Sequence, residues 1–386
     1  MFWLVFLPST LYYIFDAGLD PLQLVLVGTV LEGSIFLLEV PTGIVADLYG
    51  RRLSVIIGIF LIGVGFLVQG IFALFPAILL AQVLWGAGYT FTSGALEAWI
   101  TDEIGEEAAA SAFVRGAKLG QIGTFVGMLL ATLLGTITLR LPLLLGAGAF
   151  LVFGFYLLLV MPEVGFKPPP AEERSNWARV VQTTQTGLGM VRRRPVLRII
   201  VAIGFLYGLY SEGFDRLFEA HLLDQFSFPF VEPIVWFGVM GAISMLVSAG
   251  ILNLIEKRVD PASMRINVRL QTGISMLLVL SLFGFSWAGA LPLAILFYWI
   301  VTALREAHYP FYLAWINHKL EPQVRATVLS MSSLFDALGQ ISGGPLLGVV
   351  AREVSIRAGL TVSAILLSPV LGLYAGILRV PDEDQE

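Results

Sequence analysis

Gly43-Ile-Val-Ala-Asp47-Leu-Tyr-Gly50-Arg51-Arg52 is the stretch on which the fold turns. It lies between two apolar runs, over 22–46 and 53–75. Each run reaches the about 20 residues that a helix needs to cross a hydrocarbon core. Gly50 permits a tight turn because it lacks a Cβ. Arg51 and Arg52 hold such a turn in water, on the side of a membrane where basic residues collect, and are placed to bridge to another part of the protein. Gly43 allows close helix approach, and Asp47 is placed to cap or pair at a helix terminus.

Moving outward, the same alternation of long apolar runs and short polar joints continues. Of the 386 residues 57% are hydrophobic and only 13% are charged, against about 25% charged in soluble chains. Twenty-three basic and 28 acidic side chains cannot cover a water-facing surface of this size, so the solvent for most of the chain is hydrocarbon. Twelve spans are expected, near 2–16, 22–46, 53–75, 77–100, 112–136, 143–161, 196–217, 233–255, 269–287, 291–316, 325–349 and 357–378. Helices satisfy backbone amides within one segment, and no alternating pattern of about ten residues argues for a barrel. The fold class is therefore all-α and membrane-integral. The first run is short and lacks the basic start and small-residue cleavage site of a signal peptide; it reads as a truncated first span, with the natural start upstream.

Basic residues give the orientation. Eighteen of the 23, among them Arg51, Arg52, Arg115, Lys118, Arg192, Arg193, Arg194 and Arg198, fall on one side if the N-terminus is inside. Arg140, Arg352 and Arg357 fall on the other, and Arg216 and Arg305 lie within spans. Both termini are thus expected in the cytoplasm. The longest polar stretch, 162–195, holds Pro168–Pro170, the run Glu172–Arg174 and an expected surface helix near Trp177–Val191. It divides an N-terminal six-helix bundle (1–161) from a C-terminal one (196–386).

The halves repeat. Ala98-Trp99-Ile100 recurs as Ala314-Trp315-Ile316, and Leu119-Gly120-Gln121-Ile122 as Leu338-Gly339-Gln340-Ile341. Asp47 and Arg52 match Asp260 and Arg265. Three matches in order and at nearly one offset point to duplication of a six-span unit in the same direction.

Charges inside spans are costly and face protein or water. They occupy Glu32, Glu39, Glu97, Arg115, Lys118, Glu212, Asp215, Arg216, Arg305, Glu306 and Asp336, and leave the third and sixth spans of each half clean. Glu212 and Arg216 are four apart and can pair along a helix. Arg305 and Asp336 both lie near mid-membrane and are expected to pair with each other, which leaves Asp215 without an obvious partner. Glu32, Glu39, Asp215 and Asp336 are the candidate coupling carboxylates; the competing reading of each is a structural ion pair. Tyrosines 12, 13, 89, 207, 210, 309 and 312 suit an aromatic cargo or ordinary packing, and Pro310 is expected to bend its helix.

The loop at Gly43–Arg52 resembles the signature loop of the major facilitator superfamily. The resemblance implies twelve helices in two pseudo-symmetric six-helix bundles, and a loop of Gly43, Asp47, Gly50, Arg51 and Arg52 that gates the passage between conformations. Glu39-Val-Pro-Thr-Gly43, Ser93-Gly94-Ala95-Leu96-Glu97-Ala98-Trp99, Arg325–Ser332, Asp336–Gln340 and Gly343-Gly344-Pro345 are similar to bacterial drug-efflux members grouped with tetracycline and macrolide exporters. The sequence departs from drug/proton antiporters in three places: Gln82 stands where an Arg often precedes Gly86, Gly120-Gln-Ile-Gly123 lacks a proline, and Leu48 follows the loop Asp. Arg115 is the candidate to replace the missing Arg.

The resemblance implies a proton-coupled exporter of a hydrophobic or amphipathic small molecule in a bacterial cytoplasmic membrane, monomeric, with protons or Na⁺ as coupling ion. Glu97, Arg115, Glu212, Arg216, Arg305, Glu306 and Tyr309 are candidate cavity or ion-pair residues. A uniporter, importer or lipid mover of the same fold is the alternative. A membrane-embedded enzyme or a sensor is disfavoured: the sequence has no His-Glu-x-x-His, no Gly-x-Ser-x-Gly elbow and no phosphate-cradling loop with Lys, and its small loops offer no signalling domain. No cysteine and only three histidines leave little for a metal site, and no cofactor or nucleic-acid partner is expected.

Overall fold

The computed structural model describes residues 1–166, 177–257, 264–319 and 322–379. Among them the chain is helical, with no strand. The helices are α1 (Phe2–Phe15), α2 (Pro21–Tyr49), α3 (Arg51–Ile71), α4 (Phe75–Thr92), α5 (Ala95–Ile104), α6 (Glu106–Gly135), α7 (Arg140–Val160), α8 (Trp177–Arg193), α9 (Pro195–Gln225), α10 (Pro233–Glu256), α11 (Met264–Ser286), α12 (Leu291–Lys319), α13 (Pro322–Glu353), α14 (Ile356–Leu367) and α15 (Pro369–Arg379).

Among the described residues, ten stretches are long and apolar enough to cross a membrane. The apolar α1 is shorter, with 14 residues, and the 29-residue α12 carries Arg305, Glu306 and His308 in mid-helix. Together they make the twelve spans of the expected fold. Two spans are broken rather than continuous. Gly94, at φ +70°, separates α4 from α5, and Pro369 starts α15 one residue after α14 has ended. Several helices overshoot the expected limits, because hydropathy marks only the part in hydrocarbon. The helix α9 continues to Gln225 and takes in Glu219, His221 and Asp224, and α11 begins at Met264. Large apolar side chains on α6 and α7 point outward, with Leu133 57%, Val152 69% and Leu159 87% exposed. In water that surface would associate; in a bilayer it meets lipid.

The helices form two compact units. One comprises Met1–Leu19, Val30–Val181 and Val231–Gly238; the other comprises Asp20–Thr29, Gln182–Phe230 and Val239–Glu386. In the first, α3 packs on α4 and α7, and α1 on α6 and α7. In the second, α11 packs on α12, α14 and α15, and α9 on α13 and α14. The partner scheme is the same once α1 is matched to α9, α3 to α11, α4 to α12, α6 to α13 and α7 to α14–α15. The duplication read from short motifs thus reappears as a repeated packing pattern.

The second unit is held by a backbone-to-backbone crossing of α9 and α13. A methyl placed on Gly208 would strike the carbonyl oxygen of Asp336, and one on Gly339 or Gly343 would strike the carbonyl oxygen of Phe205 or Leu209. Small residues let membrane helices approach until dispersion and weak polar contacts accumulate. The repeat counterpart of Gly339 is Gly120 on α6, where nothing lies within 4 Å of an added methyl. Gly339→Ala should therefore destabilise the protein by about 1–3 kcal/mol through overpacking, while Gly120→Ala should be neutral or mildly stabilising. Thermal unfolding of the two variants in detergent checks both.

Candidate functional site

In the first unit the loop between α2 and α3 is stapled by its own neighbours. Gly50 turns at φ +111°, and a side chain there would meet the Glu163 carboxylate at 2.8 Å. That carboxylate accepts from the Arg52 backbone N–H at 2.8 Å. The Arg52 guanidinium donates to the carbonyl of Leu158 at 2.7 Å, and Arg51 pairs with Asp102 at 2.5 Å. Glu103 accepts from the backbone N–H groups of Val164 (2.7 Å) and Gly165 (2.8 Å), and the Trp99 indole donates to Pro162 O at 2.8 Å. Beneath lies an apolar cluster of Ala46, Val55, Ile56, Ala95 and Met161.

Within the first unit the partners of both arginines lie on α5, α7 and the segment after α7, which makes a local staple. Two expectations are corrected. Gly43 has nothing within 4 Å of an added Cβ, so no close helix approach explains it. Asp47 lies in the last turn of α2, where carbonyls rather than N–H groups are open, so it does not cap that helix. Of the repeat counterparts, Asp260 lies outside the described residues, as do Pro168–Pro170 and Glu172–Arg174, and Arg265 lies in the first turn of α11.

The second unit gathers most of the spanning charge on α9, α12 and α13. Arg305 engages both carboxylate oxygens of Asp215, one of them at 2.7 Å. The expected Arg305–Asp336 pair is thereby overturned, and Asp215 is the residue that has a cation. Helix geometry explains the exchange. Asp215 follows Tyr210 and Phe214 on α9, and the rings of both lie under the guanidinium at 5.9 and 5.7 Å. A planar fork over aromatic faces suits Arg, and the bidentate bond fixes its direction. Both side chains remain partly open, at 26% for Arg305 and 42% for Asp215. Asp336, on α13, accepts from the Gln340 side-chain amide at 2.8 Å and lies within electrostatic reach of Arg305 and Asp215.

Glu212 and Arg216 form the expected i,i+4 pair at 2.9 Å, far more buried than the Asp215 pair. It rests on the first turns of α2, where a side chain at Gly28 would collide with it. Glu39, Glu97, Arg115 and Glu306 are exposed, and Glu32 is half-buried on α2. Of the tyrosines, 12, 13, 210 and 312 are buried as packing residues, whereas Tyr89 and Tyr309 stay open at 45% and 62%.

Two buried polar networks escaped the sequence reading because its search was for charge. In the first unit, Tyr13 donates to the Gln69 amide oxygen at 3.0 Å, and Gln82 donates to the same oxygen at 3.2 Å. Gln82, where drug antiporters often have Arg, is therefore a packed core residue, 1% exposed. In the second unit, α12 runs on through Pro310. Amides on α11 donate to carbonyls on either side of that proline: Gln271 to His308 O at 3.0 Å and Asn267 to Phe311 O at 3.2 Å. With its amide N–H so committed, the Gln271 oxygen accepts from His308 Nδ1 at 2.7 Å. The Tyr207 ring stacks on His308 at 3.8 Å. The clue in the sequence was a set of amides in otherwise apolar spans.

The sequence profile of the Major Facilitator Superfamily matches residues 1–344. The chain belongs to that superfamily. A relative at 24% identity over 395 residues, covering 99% of this chain and 94% of its own length, is described as an uncharacterized MFS-type transporter, YxaM, of Bacillus subtilis (strain 168). Among solved structures, the nucleoside transporter NupG superposes with TM-score 0.76 at 14% identity, over 98% of this chain and 96% of its own. A bacterial homologue of the human lysosomal transporter Spinster follows at TM-score 0.71 and 15% identity, over 99% and 96%. The human organic anion transporter MFSD10 gives 0.59 at 19%, over 96% and 89%. At these identities the structural likeness carries the fold alone. This major facilitator protein is a multi-pass membrane transporter.

The geometry of the second unit yields a prediction. Asp215→Asn and Arg305→Gln should each lower thermal stability, and the double variant should lose less than the sum of the two. A coupling energy of about 0.5–3 kcal/mol is expected for side chains in direct contact. Unfolding of the four proteins in one detergent measures it.

Proposed function

We propose that the protein is a proton-coupled exporter of hydrophobic or amphipathic small molecules, working by alternating access as a monomer in a bacterial cytoplasmic membrane, with both termini inside. The observation that carries this reading is the pairing of Asp336 with a neutral amide, one helix away from the satisfied Asp215–Arg305 ion pair. A coupling carboxylate must take a proton in one state and release it in another without leaving a buried polar group unmet. Gln340 serves both states. As it stands its N–H donates to the carboxylate, and turned over its carbonyl accepts from the carboxylic acid. Asp215 is differently placed, because protonation there gives up two guanidinium bonds and strips Arg305 of its partner. Asp336 is therefore the preferred proton site and Asp215 the lock beside it.

The cargo reading is supported by the open aromatic face of Tyr309 and by the partly open Asp215–Arg305 pair, which together present apolar and charged surface to one molecule. The N-in, C-in orientation is supported by the one-sided distribution of basic residues.

Purified protein in liposomes loaded with a pH-sensitive dye tests the proposal. An amphipathic drug gradient should drive proton movement in the natural protein. Asp336→Asn should abolish that movement while drug binding persists. Drug flux without proton movement, or full proton movement in Asp336→Asn, refutes the coupling.

A further inference from the structure

Four arginines stand within seven residues where α8 ends and α9 begins: Arg192, Arg193, Arg194 and Arg198. All four side chains are exposed. Among the described residues none of them makes an ion pair. The sequence offers no local counter-charge either, since no acidic residue occurs between Glu173 and Glu212. The cluster is held in place from behind. Val191 is 6% exposed and Leu197 1%, so the end of α8 and the first turn of α9 are anchored in the unit by apolar side chains while the arginines project away.

Its position defines what it meets. The 31-residue α9 is long and apolar enough to cross a membrane, so its first turn marks the boundary between hydrocarbon and water. Arg194 is the N-cap of α9 and makes no side-chain cap bond, and Pro195 opens the helix. The positive end of the α9 dipole therefore lies beside the guanidinium groups. Planar guanidinium forks match phosphate oxygens, and clusters of basic residues at the edge of a spanning helix attract anionic lipid.

We propose that the α8–α9 junction is a binding site for the headgroups of anionic phospholipids in the leaflet it borders. A phosphodiester there reaches several arginines at once while its acyl chains remain in the bilayer beside α9. A free phosphate in water has the charge but not the chains.

Native mass spectrometry of the full-length protein tests the site, with equal mole fractions of phosphatidylglycerol and phosphatidylcholine in mixed micelles. The natural protein should retain phosphatidylglycerol over phosphatidylcholine by about fivefold. The combined variant Arg192→Gln, Arg193→Gln, Arg194→Gln, Arg198→Gln should fall to parity while eluting as a single species and melting normally in phosphatidylcholine. Inorganic phosphate exchanged for chloride at constant ionic strength should leave retention unchanged; displacement of the lipid by phosphate under that condition would instead identify a simple anion site and overturn the proposal. A well-folded glutamine variant that still prefers phosphatidylglycerol would also overturn it. Should that variant fail to fold, sodium chloride titration of the natural protein decides: retention falling steeply with salt supports the site, and retention indifferent to salt sinks it.

Discussion

Hydrocarbon offers a backbone amide no partner, and this one constraint organises the molecule. Every stretch that crosses the membrane closes its N–H and C=O groups into a helix. Where a helix is interrupted, some other group must take over. Pro310 removes the backbone donor that the Glu306 carbonyl would use, and α11 adds side-chain amide donors to the nearby carbonyls of His308 and Phe311. The breaks at Gly94 and Pro369 divide two spans that hydropathy reads as single runs. With the amides satisfied, the side chains are free to divide labour: apolar ones face lipid, and the few charged ones meet each other.

That scarcity of charge makes each ionised group consequential. The second unit concentrates two ion pairs of different character on neighbouring faces of α9. Glu212–Arg216 is buried against the first turns of α2, whereas Asp215–Arg305 remains partly open. A buried pair is costly to break by removing one partner, and an open one exchanges partners more readily. Asp336 stands apart from both, in the hands of an amide. In the first unit, by contrast, the ion pairs Arg51–Asp102 and Arg140–Asp16 lie near helix ends, and Tyr13, Gln69 and Gln82 form a neutral polar group in the core.

Much of this was legible in the sequence and some was not, for definable reasons. The all-helical fold, the spanning helices and the duplication could be read because hydrophobic length and short motifs are local properties. The Glu212–Arg216 pair was legible because helical spacing alone brings the two together. The partner of Arg305 was not, since depth along a helix says nothing about which face a residue occupies: Asp336 matched Arg305 in depth, yet α9 presents Asp215 to the guanidinium. The staple of Arg51 and Arg52 on Asp102 and Glu163 was hidden for a similar reason, because those acids lie in the joint between spans 77–100 and 112–136 and in the 162–195 linker, far away in sequence. Gln82 was judged by what it was not, an arginine, and its actual place among Tyr13 and Gln69 depended on the packing of α1, α3 and α4.

The glycine crossing of α9 and α13 has a consequence for the history of such a protein. Asp215 sits on one of the two helices and Asp336 on the other, and their backbones touch at Gly208, Gly339 and Gly343. The distance between the two acids is thus written into main-chain contact and cannot drift with side-chain size. A lineage that acquires a new cargo has no freedom to respace these carboxylates by small substitutions along the crossing. Change must enter from α12, whose open residues Glu306 and Tyr309 are free of that contact. Under the proposed role of these carboxylates, the α9–α13 wall is a fixed template, and diversification falls to α12.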